Sequence, residues 1–88
     1  MSTQSQNGLV PIVVGQQSYP IAFTRPFSAT PSYVKVAAQF DGPAGEIMEP
    51  VIDRATLTAQ GVTAWLSGIP SAASGNAYLN WWAIGNLP

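Results

Sequence analysis

The chain has 88 residues with no Cys and no His, and its three basic and four acidic side chains leave a net charge of -1. One domain with a modest core fits this length, and without disulfides or the usual zinc ligands, assembly with further copies is the remaining route to more burial. Charged residues make up 8% of the chain, against about 25% in ordinary soluble domains. Three scattered cations give no footprint for phosphate, so neither nucleic acid nor an anionic membrane is an expected partner.

In chain order, residues 1–8 are Ser, Thr, Gln, Asn and Gly after the first Met, a composition with too little apolar area to offset ordering entropy, and a flexible N-terminal arm, or an extended one, is predicted. Residues 1–6 lack the basic start of a signal peptide, so no Sec-type export signal is expected. The longest apolar run, residues 9–14, is far short of the roughly 20 residues of a membrane helix. From there to residue 88, the domain proper, helical periodicity is missing, and eight Gly and eight Pro punctuate the chain at spacings that suit strands. The fold class expected is all-β, with strands at residues 9–14, 18–24, 33–40, 47–53, 61–67 and 77–84 forming a six-stranded antiparallel β-sandwich. Gly15-Gln16-Gln17 suits a hairpin turn between the first two strands, and Asp41-Gly42-Pro43-Ala44-Gly45 is a marked loop. Residues 24–31, with Pro26 and Pro31, should cross between sheets as irregular chain, and residues 68–75 should form a mobile loop.

Alternation then assigns faces. Tyr19, Ile21 and Phe23 point one way, as do Val34, Val36, Ala38 and Phe40 in the third strand and Val62, Ala64 and Leu66 in the fifth; these are the predicted core. The last strand has two apolar faces, Leu79, Trp81 and Ala83 on one and Tyr78, Trp82 and Ile84 on the other. Only one can pack the sandwich, so Tyr78, Trp82 and Ile84 are the candidate oligomer interface.

Four segments then stand in a suggestive order: Tyr19-Pro20-Ile21-Ala22-Phe23; Arg25-Pro26-Phe27-Ser28-Ala29-Thr30-Pro31-Ser32-Tyr33-Val34; Thr56-Leu57-Thr58-Ala59-Gln60-Gly61-Val62-Thr63; and Asn80-Trp81-Trp82-Ala83-Ile84-Gly85. Over residues 9–85 this resembles the H-type lectin-like modules of snail agglutinins and, more closely, of phage tail fibres. The resemblance implies a sandwich that trimerises about a three-fold axis, often at a fibre tip, with sugar recognised near subunit boundaries. Val62 stands where the family usually has an aromatic residue and Trp82 where it has a smaller aliphatic one, which implies rearranged packing around the last strand. The His that the animal lectins use for their sugar is missing.

The chemistry of catalysis is poorly represented. Nucleophilic hydrolysis of the Ser-His or Cys-His kind needs a base the chain lacks, and the near-sequence carboxylates Glu46 with Glu49, or Asp41 with Glu46, read as solvated loop acids rather than a glycosidase pair. Asp41 and Glu46 match no calcium-loop spacing. No enzymatic activity, metal or cofactor is expected. For binding, Trp65 alternates away from Val62, Ala64 and Leu66, and an outward indole can stack on the C–H face of a sugar while Arg54, Asp41, Asn76 and Tyr78 take hydroxyls; equally, Trp65 can be a trimer-interface residue. The function expected is a homotrimeric, virion-associated module of a phage or prophage, made in the bacterial host cytoplasm, that works with other virion proteins in host-surface attachment through weak, multivalent glycan binding. The alternative is a purely structural virion protein, a fibre-tip trimerisation unit or capsid decoration, without a ligand pocket.

Overall fold

A computed structural model describes residues 2–40, 48–70 and 77–88. The described chain is all-β apart from one 3-10 turn: β1 Ser2–Pro11, β2 Ser18–Ala22, β3 Tyr33–Phe40, β4 Pro50–Asp53, the turn Arg54–Thr56, β5 Gly61–Leu66 and β6 Ala77–Leu87. The strands form two three-stranded sheets in the orders β1-β6-β3 and β2-β5-β4, and every pairing is antiparallel. The marked loop at residues 41–45 and most of the loop at 68–75 lie outside the described residues.

Alternation explains how the sheets stack. On the central strand of one sheet, Ala77, Leu79, Trp81 and Ala83 are buried; on the central strand of the other, Val62, Ala64 and Leu66 are. These inward rows meet Tyr19, Ile21, Phe23 and Phe27 in one core, with Val34, Val36 and Ala38 packed half-buried at its margin. Leu79, Ala83 and Ala64 are wholly inaccessible, large beside small, as a thin sandwich core requires. Phe23 joins the layers, its ring centroid 5.2 Å from Phe27 in an edge-on contact and 5.6 Å from Trp81.

One expectation is corrected. Gly15-Gln16-Gln17 is not a hairpin turn, because β1 and β2 belong to different sheets. A hairpin would pair the ten-residue β1 with the five-residue β2 and leave half of its backbone open, whereas the eleven-residue β6 pairs all of it. Residues 12–17 instead cross between layers. Gly15 takes φ +86° there, a left-handed conformation that glycine adopts freely, and its N–H donates to the Pro70 carbonyl. The buried Tyr19 hydroxyl holds the crossing, accepting from the Val13 N–H at 3.1 Å and donating to the Gln16 carbonyl at 2.6 Å.

The polar N-terminal stretch takes the extended one of the two forms expected for it: Ser2 to Gly8 continue β1 opposite Leu87 to Trp81. Backbone pairing to a long central strand, rather than side-chain burial, supplies its order. Gly8 also makes room for the core, since a Cβ there would lie 2.7 Å from the Trp81 indole nitrogen.

The segment at residues 24–31 crosses between sheets irregularly, as expected. Phe27 and Pro31 are buried against the end of β6, where a Cβ on Gly85 would come within 2.9 Å of the Phe27 ring. Ser28 donates its N–H and hydroxyl to the Asn86 carbonyl, and Ser32 donates both of its own to the Ile84 carbonyl. The crossover is thus tied to the far end of β6.

Candidate binding and assembly surfaces

The outer face of the β1-β6-β3 sheet is assembled by register. Trp82 lies between Asn7 and Lys35, Ile84 between Ser5 and Tyr33, Asn80 between Leu9 and Ala37, and Tyr78 between Pro11 and Gln39. Directly opposed residues share a face, so these strands build one broad surface on which Lys35 is the single charge. Tyr78, Trp82 and Ile84 are half-buried within it, and the Lys35 Nζ stands 5.8 Å from the centre of the Trp82 ring. Leu9 and Tyr33, at 61% and 48% exposure, extend the apolar surface onto both flanking strands. Tyr33 was legible in the sequence as the residue alternating with Val34; Leu9 was not, because its strand was expected to pair with the second strand across a hairpin rather than with β6.

The outer face of the β2-β5-β4 sheet is smaller and carries Trp65. The indole is 43% exposed, with Ser18 opposite it on β2 and Val51, 59% exposed, opposite it on β4. The next row along is Pro20, Thr63 and Asp53. Pro20 has no N–H to donate and is accommodated because β2 is an edge strand. Asp53 is committed to structure: its carboxylate accepts the Ala55 N–H at 3.1 Å and its carbonyl accepts the Thr56 hydroxyl at 2.7 Å, while that hydroxyl oxygen accepts the Thr63 N–H. This network sets the exposed Arg54 at the start of the 3-10 turn, beyond the Asp53–Thr63 row and one row removed from Trp65.

The sequence-derived sugar site is therefore only partly assembled. Trp65 faces outward as expected, and Arg54 lies in the 3-10 turn that follows β4 of the same sheet. Tyr78 does not join them, because β6 belongs to the other sheet and its outward residues face the opposite side of the sandwich. Asp41 and Asn76 lie outside the described residues. The groups that do flank the indole are Ser18 and Val51, which no local pattern identifies, since β2, β5 and β4 meet only through pairings distant in sequence.

Among the described residues, depressions lie beside β1 and beside the crossover that meets the end of β6. One, of 140 Å³, is lined by Thr3, Ser28, Thr30, Ser32 and Asn86; the hydroxyls of Thr3, Ser28 and Ser32 already donate, to Asn86 Oδ1, the Asn86 carbonyl and the Ile84 carbonyl. The other, of 290 Å³, lies beside β1 and includes Gln4, Gln6, Asn7, Thr24, Arg25 and Leu87. Set against known protein families, curated proteins and solved structures, the chain has no match.

Proposed function

We propose that the chain is a homotrimeric, virion-associated module of a phage or prophage that assembles through the outer face of the β1-β6-β3 sheet and contributes to host-surface attachment through the Trp65 patch. The observation that carries this reading is the placement of the two apolar surfaces on opposite faces of the sandwich. One face can be covered by neighbouring copies while the other stays open. The order of motifs shared with phage tail-fibre modules supports the virion setting and the three-fold assembly, and the scarcity of charge supports burial of the larger face.

On the open face, Trp65 and Val51 form an apolar platform with the hydroxyls of Ser18 and Thr63 nearby. That combination suits a neutral sugar, whose C–H face stacks on the indole while its hydroxyls exchange hydrogen bonds with the rim. One such site binds at roughly millimolar strength, and three on one particle gain avidity without new contacts. Binding of the wild-type chain and of Trp65→Ala to a multivalent glycan array, with particle mass followed by light scattering, tests the reading. A signal that disappears in the variant at unchanged mass is expected. A silent array joined to an assembly defect in Trp65→Ala would instead favour the purely structural role.

A further inference from the structure

The groove beside β1 has features that neither patch shares. It is a shallow depression whose lining includes the buried Leu87, the side chains of Gln4, Gln6, Asn7 and Thr24, and one charged residue, Arg25. Among the lining residues there is no carboxylate to neutralise that guanidinium. The placement of Arg25 is fixed with unusual care for an exposed loop residue. The Gln6 side chain acts as a strand partner, donating Nε2–H to the Arg25 carbonyl at 2.7 Å and accepting the Arg25 N–H on Oε1 at 2.9 Å. On either side, the Phe23 and Phe27 N–H groups donate to the Gln60 and Ala59 carbonyls at 2.9 Å. Pro26 adds a fixed φ and confines Arg25 to extended backbone.

A single guanidinium carried on a held stretch of backbone beside neutral, hydrogen-bonding side chains has a specific chemical complement. A polyanion such as nucleic acid needs several cations in a row, and the groove has one. A purely neutral sugar would leave the guanidinium unused. A ligand bearing a single carboxylate among many hydroxyls uses both parts: the planar fork of Arg matches a carboxylate, and amide and hydroxyl side chains serve the ring oxygens. β1 is also an edge strand, so alternate backbone N–H and C=O groups along the groove are open to a ligand. We infer that this groove binds a carboxylate-bearing sugar, with Arg25 holding the carboxylate and Gln4 and Thr24 meeting the hydroxyls. The site is separate from the Trp65 patch and goes beyond the reading given for it.

Backbone amide NMR of the full chain, titrated with glucuronate and with N-acetylneuraminate, tests the assignment, with methyl glucoside and acetate as controls. Expected are shifts at the amides of residues 4–7, 24, 25 and 27 with the acidic sugars, none with methyl glucoside, and much weaker binding of acetate. Arg25→Gln should weaken the acidic sugars by roughly tenfold or more, as loss of a charge-assisted contact implies, at unchanged mass and melting temperature. Gln6→Ala, which frees the Arg25 backbone but keeps the charge, should weaken them less. Shifts that survive Arg25→Gln, acetate binding as tight as the sugars, or no shift in this groove well above the millimolar range would overturn the proposal. Shifts confined to the Val51 and Trp65 strands would overturn it while sparing the Trp65 reading. A change of particle mass in Arg25→Gln would make the groove a seam between copies and overturn it as well.

Discussion

Trp82 and Trp65 both sit on outward faces of central strands, yet their surroundings differ in kind. Trp82 is half-buried in a surface built from strands of ten, eight and eleven residues, with Ile84 next to it on β6, Tyr33 and Leu9 diagonal to it on the flanking strands, and Asn7, Lys35 and Asn80 as its other neighbours. Trp65 stands on strands of five, four and six residues, where Pro20, Thr63 and Asp53 border it within one row. Strand length is the origin of the difference: a long central strand with apolar residues on both faces must cover two surfaces, and only one of them meets the core. A broad apolar face with one cation suits a second protein surface, and a single indole with a hydroxyl rim suits a small ligand.

The largest effect is expected from breaking the first face. Trp82→Asp puts a carboxylate into the face proposed to meet further copies, where an uncompensated charge costs several kcal/mol; light scattering should show loss of the assembly, and unchanged mass and melting temperature would show that position 82 faces water. Gly8→Val acts on the same sheet from its inner side, because the new side chain must displace the Trp81 indole. A loss of about 1–3 kcal/mol is expected, as for other overpacked cores, read as a melting temperature lower by roughly 4–8 °C per kcal/mol.

Smaller effects separate the two faces. Lys35→Gln removes the cation above Trp82 and should cost no more than about 1 kcal/mol, seen as a slightly lower melting temperature. Trp65→Ala should change stability by less than about 0.5 kcal/mol, as expected for an exposed position, while removing neutral-glycan binding from the array. Glycan binding that outlasts this substitution would place the neutral-sugar site elsewhere.

The same contrast explains what the sequence discloses. Period-two alternation identified the buried rows of β2, β5 and β6 and the outward turn of Trp65, because burial leaves a local trace in side-chain type. Partnership leaves none. Ser2 to Gly8 are ordered by pairing with β6, more than seventy positions away at every residue, and nothing in their polar side chains announces it. For the same reason Tyr78 was grouped with Trp65 although β6 and β5 lie in different sheets. The Gln6–Arg25 clamp joins two residues 19 positions apart across an irregular crossover, and no periodicity encodes such a contact.

Whether the larger face is covered while the smaller one stays open can be read from the three tryptophans at once. Fluorotryptophan labelling gives each indole its own fluorine NMR signal, assigned by single Trp→Phe substitutions, and a soluble gadolinium chelate broadens the signals that solvent reaches. In the assembled protein Trp65 should broaden strongly while Trp82 stays as sharp as the buried Trp81. Equal broadening of Trp82 and Trp65 would contradict assembly through the outer face of the β1-β6-β3 sheet, and a Trp65 signal as protected as Trp81 would show that copies meet on the wrong side for ligand display.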